Sequence, residues 1–280
     1  MLVKKIDEVR SLVKEWRKQG FTVGYVPTMG ALHEGHESLI KKAVSENDKV
    51  IVSVFVNPTQ FGPNEDYDSY PRNIEKDMAL CEEAGACAVF NPEPSEMYFE
   101  NKSTVISVSG LTSVLCGAKR PGHFDGVCLV VTKFFNIVKP DRAYFGEKDA
   151  QQVAVLKRMV RDLSIDVEIV PCPIIREEDG LAKSSRNTYL NVDERKAAVV
   201  LSRSLKIAKQ LLDKGERNAA KIKDAIISEI NTESLAKIDY VEIVDSEDLT
   251  DVSTIEKNIL IPIAVYIGKT RLIDNFTYEV

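Results

Sequence analysis

The sequence predicts an α/β protein in which a Rossmann-like parallel sheet is followed by a smaller α+β domain. Strand-like and helical segments alternate through residues 1–175, which is typical of βαβ units. The run KVIVSVFV at 49–56 is continuous and β-branched, as in a strand covered on both faces. Beyond residue 175 long amphipathic helices and strand-rich segments replace this alternation. We therefore predict domains at 1–175 and 176–280.

The first elements follow from the spacing of apolar residues. A helix is predicted first, because apolar residues recur at helical spacing before a glycine: Ile6, Val9, Leu12, Val13, Trp16, then Gly20. Strands are predicted at 21–26, 49–56, 87–90, 103–109, 142–146 and 166–175. Helices are predicted from about residue 33 to 47 and at 73–85, 111–117 and 149–163. The apolar run at 127–138 fits a buried helix or a buried strand, and periodicity does not decide between them.

The remaining segments predict a small sheet with helices. Residues 191–215 form one long amphipathic pattern that begins near Asp193, and residues 218–231 form another. Strands are predicted within 236–245 and 258–276. Runs of strands and runs of helices, rather than strict alternation, are typical of an α+β domain.

Composition excludes several classes of protein. The net charge of -6 and the pI near 5.4 argue against nucleic-acid binding, which needs a basic surface. No apolar run approaches the ~18 residues of a membrane span, and charges interrupt the first residues before a signal peptide could form. The five cysteines are odd in number and include no C-x-x-C pair, which predicts reduced thiols in a cytoplasmic protein.

The stretch PTMGALHEGHESLI, residues 27–40, predicts a phosphate-binding site. It follows a predicted strand and holds two of the three histidines, His33 and His36. The start of a helix presents backbone N–H groups and partial positive charge, which suit phosphate. Imidazoles at i and i+3 share one helical face and can donate to phosphate oxygens. A metal-binding pair and ordinary surface histidines are the alternatives, but no third histidine or H-E-x-x-H motif supports a metal.

Longer blocks of sequence resemble a known family. HEGH resembles the HIGH-type motif of the nucleotidylyltransferase superfamily. The full set resembles the pantoate–β-alanine ligase (pantothenate synthetase) family: PTMGALHEGH, FVNPTQFGPNEDYDSYPR, RPGHFDGV, KPDRAYFGEKDAQQ and REEDGLAKSSRNTYL. These blocks occur in the family's order between residues 26 and 190, whereas the C-terminal third is similar in length and texture only.

The resemblance implies ATP-dependent condensation of pantoate with β-alanine through a pantoyl adenylate. It assigns the phosphate-binding and catalytic roles to His33, His36, Lys148, Ser184, Ser185 and Arg186. It places Gly146 and Asp149 at the ribose, and adds Pro27, Met29, Gly30, Ile175 and Lys183 to the ATP site. Pantoate would be bound by Gln60, Gln152, Met29, Asn57, Phe61 and His123.

The resemblance also implies partners. Mg²⁺ is expected with ATP, carried by the phosphates and keeping most of its water, with no metal site built from protein ligands. A homodimer and closure of residues 176–280 as a lid are further implications. The acidic stretch 63–68 is interpreted as a mobile rim rather than a metal site.

Two residues depart from the family's pattern. Lys183 stands where methionine is expected in MSSRN, and Leu129 stands where threonine is expected in GVxTVV. Two other functions are weighed: a nucleotidylyltransferase whose product retains AMP, and a non-catalytic RNA- or nucleotide-binding module. Neutral glutamines at the second substrate disfavour the former, and the acidic pI and full set of phosphate-binding residues disfavour the latter.

Overall fold

The structure of this chain, a computed structural model, describes residues 1–63 and 65–280. These residues form two compact units. The first comprises residues 1–147 and 155–173, and the second comprises residues 148–154 and 174–280. Asn64 belongs to the acidic stretch predicted to be a rim and lies outside the described residues.

The first unit is built on a six-stranded parallel sheet. Its strands are β1 (Leu2–Val3), β2 (Val23–Thr28), β3 (Lys49–Val54), β4 (Ala88–Phe90), β5 (Arg142–Gly146) and β6 (Glu168–Cys172). The helices between them are α1 (Ile6–Lys18), α2 (Glu34–Glu46), α3 (Ile74–Glu83), α4 (Pro94–Met97), α5 (Leu115–Lys119), α6 (His123–Val138) and α7 (Ala150–Asp162). All neighbouring strands pair in parallel. The predicted parallel α/β sheet is therefore confirmed.

The strand order creates one point where ligands bind in such sheets. The strand order is β1-β4-β3-β2-β5-β6. After β2 the chain adds β3 and β4 on one side of β2, and it then adds β5 and β6 on the opposite side of β2. Loops that follow the carboxyl ends of β2 and β5 meet at this reversal, which is the usual ligand site of open α/β sheets. Residues 50–54 of β3 are all buried, as expected for a strand covered on both faces.

The second unit is α+β, as the sequence predicts. It contains α8 (Val192–Ala197), α9 (Val200–Asp213), α10 (Ala219–Ile230), β7 (Ala236–Val241), β8 (Val244–Asp245), β9 (Ile259–Ile267) and β10 (Thr270–Tyr278). The strands form an antiparallel sheet in the order β10-β9-β7, with β8 also paired to β9. One face packs on α9 and α10, and Leu201, Leu212, Ile222 and Ile263 are among its fully buried side chains.

Two predictions before α6 are wrong in position or type. Residues 103–108 form no strand, although valine and isoleucine alternate with polar residues there. A strand needs a neighbour to pair with, and no strand of the described residues pairs with this segment, which leaves Val105 72% exposed. The helix predicted at 111–117 is the short α5, which begins at Leu115. The undecided run at 127–138 is helical and belongs to α6.

The predicted single helix at 191–215 is interrupted between α8 and α9. Ala197, Ala198, Val200 and Leu201 are all buried. Apolar residues at this spacing also fit one face of a continuous helix, so the sequence pattern does not mark the interruption. At the interruption the Leu201 N–H donates to the Ala198 carbonyl, three residues earlier in the chain rather than four. Among helices of the described residues, none has the length and apolar character needed to cross a membrane.

Gly126 provides a test of how α6 packs. A Cβ at this position would lie 2.2 Å from the backbone oxygen of Thr59. Because overpacking of this kind typically costs about 1–3 kcal/mol, we expect Gly126→Ala to lower the free energy of unfolding by that amount in urea titrations. Gly62→Ala is the control, since its Cβ would meet only Glu65, at 3.7 Å or more. Equal stability of the two variants would contradict the observed packing.

Candidate active site

The chain turns sharply after β2, and side chains accept three consecutive backbone N–H groups there. The N–H of Gly30 donates to Thr28 Oγ1 at 3.2 Å. The N–H groups of Ala31 and Leu32 donate to the two carboxylate oxygens of Asp77 at 3.1 and 2.8 Å. Gly30 and Ala31 have positive φ values of 84° and 51°, and this conformation costs an alanine about 1–2 kcal/mol. The carboxylate of Asp77 therefore stabilises a turn whose backbone conformation is unfavourable for Ala31.

Asp77 is a residue of this site that sequence reasoning missed. It lies on α3 and is 1% exposed. Burial raises the pKa of its carboxyl group, although the hydrogen bonds from Leu32 and Ala31 act in the opposite direction. A signal was present in the sequence, because Asp77 lies at helical spacing with Cys81 and Ala84, which are both buried. An acidic residue on an apolar stripe indicates a buried hydrogen-bonding role.

The two histidines lie at the start of α2 and are oriented by its backbone. His33 is the N-cap residue, and its Nδ1 accepts the N–H of Gly35 at 3.1 Å. Nδ1 of His36 accepts the N–H of His33 at 3.3 Å. The ring centroids are 4.2 Å apart. Because both Nδ1 atoms accept hydrogen bonds, each neutral ring carries its proton on Nε2.

Gln60 is held by the buried side chain of Asn57. Asn57 is 1% exposed, and its amide nitrogen donates to Gln60 Oε1 at 3.0 Å and to the Gly126 carbonyl at 3.2 Å. Its Oδ1 accepts the Tyr98 hydroxyl at 2.7 Å. The oxygen of Gln60 is thus engaged by Asn57, while its Nε2 lies 3.3 Å from the sulfur of Met29. This arrangement fixes which end of the Gln60 amide acts as a donor.

His123, the first residue of α6, contacts the backbone of Gln60. Its Nδ1 lies 2.8 Å from the backbone oxygen of Gln60, and Arg120 Nη1 lies 3.0 Å from its Nε2. Arg120 also forms a two-point ion pair with Glu65, with contacts of 2.7 and 2.6 Å. Burial acts to raise the pKa of Glu65, but the hydrogen bonds and charge of Arg120 outweigh burial and lower it. His123 therefore lies between the Gln60 backbone and a charged pair.

The other predicted residues of the first unit surround these groups. Phe61 follows Gln60 and packs edge-on against Tyr67 and Tyr70, with ring centroids 5.4 and 6.0 Å apart. Pro27 lies within β2, and Gly146 ends β5 at the point where the strand order reverses. Met29, Asn57, Gln60 and His123 are thus brought together by direct contacts.

In the second unit, a short hairpin precedes the KSSRN loop. The N–H of Lys183 donates to the Ile175 carbonyl at 2.9 Å, and Arg176 pairs with Ala182 in an antiparallel bridge. Lys183 Nζ lies 3.2 Å from a carboxylate oxygen of Glu177 across the hairpin. The charge introduced by this departure from the family's pattern therefore has a partner within the same hairpin.

The KSSRN loop is a 3-10 turn with an internal cap. Ser184 precedes the turn, and its Oγ accepts the N–H of Arg186 at 3.3 Å. Asn187 donates from its side chain to the Ala182 carbonyl at 3.1 Å, which ties the loop to the hairpin. Ser184, Ser185 and Arg186 are all half-buried. The loop is thus locally ordered by its own polar groups.

Lys148, Asp149 and Gln152 belong to the same compact unit as this loop. Lys148 and Asp149 lie in a 3-10 turn that leads into α7, and Gln152 lies in the first turn of that helix. Asp149 is exposed, whereas Lys148 and Gln152 are half-buried. The carbonyl of Lys148 accepts the side-chain amide of Asn275 at 2.9 Å.

Comparison with known proteins identifies the family of this chain. The profile of the family described as Pantoate-beta-alanine ligase matches residues 1–277. The pantothenate synthetases of Clostridioides difficile and Clostridium acetobutylicum are 67% and 65% identical over 279 residues, covering 100% of this chain and 99% of each relative.

Solved structures agree with this match. Pantothenate synthetase from Thermus thermophilus is 45% identical with a TM-score of 0.94, over 98% of each chain. The ligase from Francisella tularensis, solved as a complex with "Beta-gamma ATP and Beta-alanine", is 38% identical with a TM-score of 0.79, over 99% of this chain and 97% of that one. The chain belongs to the pantoate–β-alanine ligase family, whose members are known as pantothenate synthetases.

Proposed function

We propose that this ligase joins pantoate to β-alanine in two steps that consume ATP. In the first step a carboxylate oxygen of pantoate attacks the α-phosphorus of ATP, and the bond to pyrophosphate breaks. In the second step the amine of β-alanine attacks the acyl carbon, the bond to AMP breaks and the amine loses a proton. Family membership supports this reaction, as does the Francisella relative solved with an ATP compound and β-alanine.

The orientation of the two imidazoles is the observation that carries the proposal. Nδ1 of His33 and of His36 is engaged by a backbone N–H, so each ring offers Nε2–H as its donor. Both rings follow the carboxyl end of a strand at the point where the sheet order reverses. We propose that the two Nε2–H groups donate to ATP phosphate oxygens, whose charge grows as pyrophosphate leaves.

Pantoate is proposed to bind beside Gln60. The Gln60 oxygen accepts from Asn57, so its Nε2–H₂ is the end suited to donate to a pantoate oxygen. Met29 and Phe61 supply apolar surface for the methyl groups, and Gln152 supplies the second amide. Because both amides are neutral, they can orient the substrate without withdrawing the nucleophilic charge of its carboxylate. Asn57 and His123 are proposed to act here by fixing Gln60.

The other ATP contacts are proposed for the remaining residues that the family resemblance assigns. Lys148 and Arg186 would neutralise phosphate charge, Arg186 with a two-point contact and Lys148 as a point charge. Ser184 and Ser185 would donate hydroxyl hydrogen bonds, and Asp149 would accept from the ribose hydroxyls. The proposed nucleotide set is completed by backbone and apolar contacts from Pro27, Gly30, Gly146 and Ile175.

Mg²⁺ is proposed to enter with the nucleotide. No group of three or more His, Cys, Asp and Glu within residues 1–63 and 65–280 could hold a metal ion. We propose that the ion keeps most of its water and binds mainly through the ATP phosphates, where it would neutralise negative charge. A cytoplasmic location, a homodimer and a lid role for the C-terminal part are further proposals from the family resemblance.

The order of the two steps can be tested directly. With pantoate alone, the protein should exchange labelled pyrophosphate into ATP, because the acyl adenylate forms before the amine arrives. Addition of β-alanine should yield pantothenate and AMP in equal amounts by chromatography. Exchange that requires β-alanine would contradict the two-step reaction, and a product that retains AMP would indicate a nucleotidylyltransferase instead.

The histidine proposal predicts a kinetic defect in His36→Ala. Removing a donor that acts mainly in the transition state should lower kcat for adenylation about 10²–10³-fold in single-turnover measurements. His36→Ala also removes an acceptor at the start of α2. Asn218→Ala is the matched control, because Asn218 caps α10 and cap loss costs about 0.5–2 kcal/mol. The control should keep its kcat, and normal adenylation by His36→Ala would show that the ring has no role in the chemistry.

The ion pair at Lys183 makes a different prediction. In Lys183→Met the carboxylate of Glu177 loses its partner near the proposed phosphate site, so we expect kcat/KM for ATP to fall by no more than about tenfold, or about 1.4 kcal/mol. Adding Glu177→Gln should restore most of that loss. Arg186→Met should cost more, because it removes a two-point phosphate contact. If Lys183→Met is as damaging as Arg186→Met, Lys183 itself binds the phosphates.

A further inference from the structure

A partly buried ion pair joins β10 to the hairpin that precedes the KSSRN loop. Asp274 of β10 is 1% exposed, and its carboxylate accepts Nη1 and Nη2 of Arg176 at 2.7 and 2.9 Å. Nη1 of Arg176 also donates to the Gly180 carbonyl in the hairpin turn at 3.1 Å. A buried carboxylate is stable only when it is paired and hydrogen-bonded, so this pair fixes the hairpin on the edge of β10.

The next residue of β10 extends the network to Lys148. The N–H of Asn275 donates to Asp274 Oδ1 at 2.8 Å. The Asn275 side chain is mostly buried, and its Nδ2 donates to the Lys148 carbonyl at 2.9 Å across 127 residues of sequence. Arg176, Asp274, Asn275 and Lys148 all belong to the second compact unit. One connected set of hydrogen bonds therefore links the hairpin to the backbone of Lys148.

We propose that Asn275 is a positioning residue for Lys148, and that the Arg176–Asp274 pair keeps Lys148 in register with the hairpin. A lysine side chain is long and flexible, so the position of its ammonium group depends on where its backbone is held. Asn275 binds the carbonyl of Lys148 and leaves the ammonium group available to a ligand. The functional part of this inference rests on the proposed role of Lys148 at the ATP phosphates.

The test variant is Asn275→Leu, which removes the donor while keeping a similar volume. Hydrogen–deuterium exchange of the ligand-free protein should accelerate in residues 147–154. It should remain unchanged in β9 and β10. In the pantoate-dependent exchange of pyrophosphate into ATP, kcat should fall up to about 100-fold, as for a reacting group displaced by about 1 Å. KM for ATP should change much less than kcat. If Asn275→Leu folds poorly, Asn275→Ser is used instead, because the serine hydroxyl is too short to reach the Lys148 carbonyl.

Arg271→Met is the matched control. Arg271 also lies on β10, and its guanidinium forms a partly buried pair with Asp239 of β7 at 2.9 Å. Arg271→Met should have a lower free energy of unfolding than the wild type. Its kcat and the rate of hydrogen exchange in residues 147–154 should match those of the wild type. An equal fall of kcat in this control would mean that Asn275 acts only through general stability, which would overturn the proposal.

The two measurements separate this proposal from the proposed function. If hydrogen exchange at 147–154 does not change in Asn275→Leu, positioning is refuted whatever the protein catalyses. If hydrogen exchange at 147–154 accelerates but kcat of Asn275→Leu stays at the wild-type value, Asn275 holds the segment without serving catalysis, and the inference fails. If the wild-type protein does not exchange pyrophosphate at all, the proposed function fails, and hydrogen exchange still decides whether Asn275 fixes Lys148.

Discussion

The contact between Asp77 and the turn after β2 is the constraint on which the first unit's site depends. The turn contains an alanine in the left-handed region, which its side chain disfavours. Two N–H donors at 3.1 and 2.8 Å engage both oxygens of the buried carboxylate. An unpaired buried N–H costs about 1–3 kcal/mol and an unpaired carboxylate costs more. Neither the turn nor Asp77 would be stable in this arrangement without the other.

The start of α2 follows from that turn. His33 comes directly after Leu32, whose N–H is fixed by Asp77, so the N-cap is placed where the turn delivers it. The first N–H groups of a helix lack partners within the helix and need acceptors. Here the Nδ1 atoms of His33 and His36 serve as those acceptors. The same hydrogen bonds that cap the helix thereby set the tautomer of both rings.

Local pattern predicted most of the fold, because most elements bury one periodic face. The strands around the HEGH motif and the amphipathic helices could be read from spacing alone. The segment 103–109 could not, because its strand-like alternation says nothing about whether a neighbour is available. The interruption between Ala197 and Val200 could not be predicted either, because buried apolar residues continue on both sides of it.

The candidate site was predictable to a different extent. Motif residues such as His33, Gln60 and Arg186 can be named from sequence blocks, because the resemblance assigns them. Their supporting groups cannot, since Asp77 meets Leu32 across 45 residues and Asn275 meets Lys148 across 127 residues. Such contacts leave no short motif, and only an acidic residue on an apolar stripe marks Asp77.

The compact units of this chain are also discontinuous in sequence, which no short motif predicts. Residues 148–154 belong with 174–280, while the rest of α7 belongs with the parallel sheet. Within the second unit, the side chain of Asn275 donates to the Lys148 carbonyl and so ties this short segment to β10. The backbone of Lys148 and the loop of Ser184 to Arg186 therefore lie in the same compact unit. In the proposed ATP site, Lys148 and Arg186 would bind one polyphosphate, and holding both segments within one unit would reduce the conformational entropy lost on binding.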